Sequence, residues 1–110
     1  MANTPAAPNE TAAAATVVSE FAHFRAMISL LEAGREDDAR EQLDILRDRD
    51  ADAPLTRLAA QLWDQYGMTG SVRAACAQAR PQFASEGGPV VTALRGLGLD
   101  LDAASLCGFS

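Results

Sequence analysis

A glycine set between two amphipathic stretches constrains this chain more than any other feature. In MISLLEAGREDDAREQLDIL, residues 27–46, Ile28 and Leu31 precede Gly34, and Ala39, Leu43 and Leu46 follow it at helical spacing. A glycine can adopt the left-handed conformation that closes a helix. Glu36, Asp37 and Asp38 then place negative charge at the positive end of the next helix. The spacing therefore predicts a helical hairpin, around which the rest of the chain packs.

The segments on either side extend the pattern. Residues 1–10 are small, polar and proline-containing, which favours a disordered leader over packed structure. From about residue 11, Val17, Phe21, Phe24, Ile28 and Leu31 recur three and four apart and predict helix 1 to about residue 33. A second helix is expected over 36–49, with Arg40, Glu41, Asp44, Arg47 and Asp48 on its solvated face. Pro54 marks the start of a third, since proline is tolerated in a first helical turn. That helix carries Leu55, Leu58, Ala59, Leu62, Trp63 and Tyr66, and Gly67 is expected to stop it. A fourth helix, about 70–80, is expected to end at Pro81, with QFASEGG as a loop. A fifth is expected from Pro89 to about Gly96. The fold class is all-α, with four to five helices in stacked antiparallel hairpins. One domain spans 11–101 and a short tail spans 102–110.

Composition excludes several functions. The formal charge is −6, which argues against a nucleic-acid or anionic-membrane surface, where clustered positive charge dominates binding. All nine basic residues are arginine, a pattern of GC-rich coding. No apolar run approaches the roughly 20 residues that cross a bilayer, and the N-terminus lacks the pattern of a secretory signal. A cytoplasmic protein with a protein partner is the expectation, and Cys76 and Cys107, far apart in sequence, are expected to be reduced.

Chemistry-bearing residues are sparse. His23 is the only histidine, and with Glu20 it forms a single Glu-x-x-His pair, half of a carboxylate-bridged di-iron site. A packed or surface histidine is the plainer reading, so no metal and no cofactor are expected. The Asp37–Asp38 and Asp48–Asp50–Asp52 groups fall at helix ends, where capping accounts for them. No phosphate-binding loop, dinucleotide fingerprint or nucleophile elbow is present, and the chain reads as a non-enzyme.

Gly34 and Gly67 lie 33 residues apart, and Leu30 corresponds to Trp63, Ala39 to Val72, Leu43 to Cys76 and Leu46 to Ala79. With Gly34 at the inter-helix glycine and Ala39 and Leu43 at the small and large positions of the second helix, residues 20–80 resemble the tetratricopeptide repeat. They depart from it at His23, Ala26 and Met27, and Pro54 falls a few residues late. The resemblance implies a concave surface lined by the first helix of each hairpin: Phe21, Phe24, Ile28 and Leu31, followed by Arg57, Gln61 and Asp64. Such a groove suits an amphipathic partner helix. The alternative is that the stripe from Phe21 to Leu31 is core, covered by helix 5 or the tail.

Length, acidity and helical layout also resemble the cytoplasmic chaperones of bacterial type III secretion that hold the needle subunit's amphipathic C-terminal helix. That resemblance implies a groove that keeps a polymerising partner monomeric, together with a small helical co-chaperone. The ending SLCGFS contains the active-site string of monothiol glutaredoxins, but at a chain end and outside that fold. A second class of function is a ribosomal peptide-natural-product precursor, whose helices are bound by modifying enzymes acting on Ser105, Cys107 or Ser110.

Overall fold

The computed structural model describes residues 8–98, with side-chain surroundings for 16–98. Five helices follow one another: α1 (Pro8–Glu32), α2 (Glu36–Asp50), α3 (Pro54–Thr69), α4 (Val72–Glu86) and α5 (Gly88–Gly96). No strand occurs among the described residues. α1 is described from Pro8, a residue suited to a first helical turn, and the rest of the leader expected over 1–10 lies outside the described residues.

The first hinge forms as its residues dictate. Gly34 takes φ +77°, its N–H donates to the Leu31 carbonyl at 3.0 Å, and the Arg35 N–H reaches back to Leu30 at 2.8 Å. This paired closure satisfies carbonyls that the end of a helix otherwise leaves open. No side chain caps α2, and the three acidic residues of its first turn supply the complementary charge. An Arg35–Asp38 ion pair at 2.5 Å spans the same turn, exposed and therefore worth little. The α2–α3 corner is set by Pro54 at the start of α3, preceded by Ala53 in an extended conformation. Thr56, buried, donates to the Leu46 carbonyl at 3.3 Å and ties the corner to the end of α2.

Two expectations about the second hairpin are corrected. Gly67 does not stop α3; it lies within the helix, and Gly70 is the hinge, with φ +72° and its N–H donating to the Tyr66 carbonyl at 2.8 Å. Ser71 accounts for the shift: its hydroxyl accepts from the Ala74 N–H at 3.3 Å as the cap of α4, so the closing glycine must directly precede it. Hinge-to-hinge separation is therefore 36 residues, not 33. In that register Ala39 corresponds to Ala75 and Leu43 to Ala79, all four buried.

Pro81 does not end α4 either, and QFASE is helix rather than loop. A proline frees the carbonyl four residues back, here that of Ala77, and both residues are exposed, so water can satisfy it. Burial of Ala79 and Phe83 on the opposite face holds the helix together through the proline.

The hairpins α1–α2 and α3–α4 stack through α3, which packs on both α1 and α2. α5 then folds back to touch α1, α3 and α4, so that α1 meets every other helix. Phe24 of α1 meets Phe83 of α4 edge to face, with ring centroids 6.0 Å apart. Around this pair, Met27, Ile28, Leu43, Leu46, Leu55, Leu58, Leu62 and Leu94 form one continuous core.

Cys76 is disulfide-bonded, which corrects the expectation of reduced thiols. The other cysteine in the sequence, Cys107, lies outside the described residues, as does the short turn expected from Asp102.

Candidate protein-binding surface

The apolar stripe expected to line a groove is not open. Phe24, Ile28 and Leu31 are 0%, 1% and 3% exposed, and only Phe21 retains a half-exposed side chain against the core. α1 packs against every other helix: Phe24 meets Phe83 of α4, and α5 also lies on α1, with Val90, Val91 and Leu94 buried. Of the two sequence readings of this stripe, covered core is the one the chain adopts in isolation. The polar row of α3 is displayed instead: Arg57 and Asp64 are exposed and Gln61 is half-buried. Arg57 is engaged by Glu86 of α4, Nε to carboxylate at 3.0 Å. Ser105, Cys107 and Ser110 fall outside the described residues.

Two polar regions flank the core at opposite ends of the first hairpin. Near the α1–α2 opening, His23 Nδ1 donates to Gln42 Oε1 at 2.6 Å and Arg49 donates to the Ser19 hydroxyl, joining the two helices. Glu20 is buried beside them. Its carboxyl is pushed above the ordinary carboxylate range, first by burial, then by the Asp50 carboxylate, with Arg49 opposing. Among the described residues, no three His, Cys, Asp or Glu side chains are grouped to hold a metal.

A raised folded-state pKa means that ionised Glu20 is penalised in the folded chain and not in the unfolded one. The penalty is absent below pH about 4.5, develops as pH rises through that value, and is complete above the folded pKa. Glu20→Gln is therefore expected to raise the melting temperature at neutral pH, with the gain vanishing towards pH 4.5. Thermal melts across that pH range check it, and a variant less stable at neutral pH would show that the carboxylate is needed.

At the hinge end the surface is concave. An open cleft of about 520 Å³ runs between the two hairpin turns, lined by Leu31, Glu32, Gly34, Tyr66, Gly70, Val72 and Arg73 among others. Beside it is a smaller concavity of about 130 Å³, formed by Glu36, Trp63, Tyr66 and Gly67. Tyr66 is common to both. Its hydroxyl donates to Glu36 Oε1 at 3.1 Å, linking α3 to the first turn of α2. That hydrogen bond is the first cause of a raised phenol pKa, followed by desolvation and the Glu36 charge. Tyr66 is the only tyrosine, so a near-ultraviolet titration reads it alone. Its midpoint is expected above 10 and is expected to fall in Glu36→Gln; an unchanged midpoint in that variant would break the assignment.

Sequence periodicity gave no sign of this concave surface. Trp63 and Tyr66 share the apolar spacing of helix 3, and both are half-exposed, packed against the edge of the core. Two closing glycines at one end of adjacent hairpins are the signal that two turns lie side by side there. Comparison with known protein families, with curated proteins and with solved structures finds no match for this chain.

Proposed function

We propose that this chain is a non-catalytic adaptor or chaperone that holds an amphipathic helix of a partner protein, and that α5 occupies the helix-binding face in the absence of that partner. The observation that carries the reading is α5 itself. It is a nine-residue helix whose Val90, Val91 and Leu94 are buried where α1, α3 and α4 meet. α5 lies on α1, whose apolar stripe the tetratricopeptide resemblance assigns to a ligand helix, and helix-in-groove recognition uses apolar anchors three and four residues apart, the spacing of Val90, Val91 and Leu94.

A helix of nine residues has little stability of its own, so α5 depends on the face it covers. It begins after Gly87 and ends before Gly98, which has φ +93°, giving the chain a glycine at either side. An element held in this way belongs to the low-stability part of a fold and can be exchanged without unfolding the rest. A chaperone of this kind would bind its partner by replacing one apolar helix with another, leaving the core dry in both states. The resemblance to type III secretion chaperones is compatible with such an exchange, since their needle-subunit ligand is an amphipathic helix. The disulfide at Cys76 fits an oxidising environment better than a reducing cytoplasm and in this respect sets the chain apart from those cytoplasmic chaperones.

Loosening α5 tests this. In full-length chain carrying Val91→Ala and Leu94→Ala, a labelled peptide of residues 87–98 is expected to bind saturably by fluorescence anisotropy, while the unsubstituted chain takes up much less. A double variant that keeps its helical circular dichroism and takes up no peptide would contradict the proposal.

A further inference from the structure

The small concavity at the hinge end is a different site from the α5 face, and its chemistry is specific. Two aromatic rings, Trp63 and Tyr66, and one carboxylate, Glu36, surround about 130 Å³, with Gly67 contributing no side chain. Aromatic faces attract cations, best from indole, and a neighbouring carboxylate adds direct charge and hydrogen-bond acceptance. The surrounding charge is mainly negative. Glu32 lines the adjoining cleft, Asp37 follows Glu36, and Asp64 is exposed next to Trp63, within a chain of net charge −6. Nearby Arg35 is paired with Asp38, and Arg73 on the far wall of the cleft is also engaged.

From these groups we infer that the concavity binds the cationic side chain, arginine or lysine, of a partner peptide whose apolar neighbours lie in the cleft between the two turns. Tyr66 is the shared wall. It lines both spaces, and its hydroxyl donates to the Glu36 carboxylate that lines the smaller one. Gly67 also lines the concavity, and a Cβ built there meets no other atom within 4 Å, so a larger side chain is accommodated at this lining position without disturbing the helix packing. The site does not depend on displacement of α5, and either proposal stands if the other fails.

Trp63 is the only tryptophan and lies in the site, so its emission reports occupancy directly. The full-length protein is titrated with a synthetic leucine–arginine amphipathic peptide, and with the same peptide carrying glutamate or glutamine in place of arginine. The arginine peptide is expected to shift Trp63 emission saturably, and to bind more weakly as salt is raised. Glu36→Gln and Gly67→Leu are each expected to weaken it about tenfold, the equivalent of one desolvated cation–aromatic or charge contact. Tyr66→Phe, which keeps the ring and loses the hydrogen bond, should weaken it less. Equal binding of the glutamine peptide, preference for the glutamate peptide, or arginine-peptide binding unaffected by both Glu36→Gln and Gly67→Leu would each overturn the assignment. So would the absence of any shift in Trp63 emission.

Discussion

Phe24→Asp is expected to unfold the chain, not merely to weaken a partner. Phe24 is fully buried and edge-on to Phe83, so the substitution removes the ring contact that joins α1 to α4 and puts a carboxylate in its place. Truncating a buried phenylalanine alone costs about 3–5 kcal/mol, and an unpaired buried charge adds to that. A domain of this size has about 5–15 kcal/mol in total, and the aromatic content here is only 5%. Far-ultraviolet circular dichroism should show loss of the cooperative melt. Ile28→Asp should do the same, whereas Val18→Asp, at a position 46% exposed, should change stability by no more than about 0.5 kcal/mol. A Phe24→Asp protein that stays helical and melts cooperatively would return the stripe to the surface.

The disulfide at Cys76 carries the second large effect. Removing a native disulfide typically costs about 2–5 kcal/mol, by widening the unfolded ensemble the chain must be drawn from. Reduction is expected to lower the melting temperature accordingly, and Cys76→Ser to reproduce the loss without reductant. Cys76 is itself buried on α4, so a small polar replacement also leaves a slight packing deficit. Comparing the oxidised and reduced chain separates the two contributions. Before reduction, thiol titration of the purified protein should find no reactive cysteine; a full complement of free thiols in a stable protein would remove the bond from the account.

Much of the architecture could be read from local rules. Gly34, the acidic opening of α2 and Pro54 each act within one helical turn, and the structure follows all three. The errors arose where a local rule competed with a neighbour. Gly67 is tolerated inside α3, at about 1 kcal/mol relative to alanine, because the Gly70–Ser71 pair makes a better stop and start. Pro81 is carried within α4 because its disrupted carbonyl faces water while Phe83 anchors the far side.

The candidate surfaces were less legible, and for a different reason. Periodicity shows that Phe24, Ile28 and Leu31 share a face, but whether that face is groove or core depends on which later helices return onto α1, a matter of long-range packing. The pairing of Tyr66 with Glu36 joins positions 30 apart and leaves no trace in either helix pattern. An aromatic residue at a core-like spacing reads as core even when the turn beside it leaves one side of the ring open.

The claim on which the proposed exchange rests is that α5 lies against α1 and closes its apolar face. Nuclear Overhauser contacts from the methyl groups of Val90, Val91 and Leu94 test it most directly. The account requires cross-peaks from these methyls to α1 side-chain protons in the free protein. Methyl groups of α5 that show only contacts within their own helix, beside an α1 stripe open to a soluble paramagnetic probe, would contradict it.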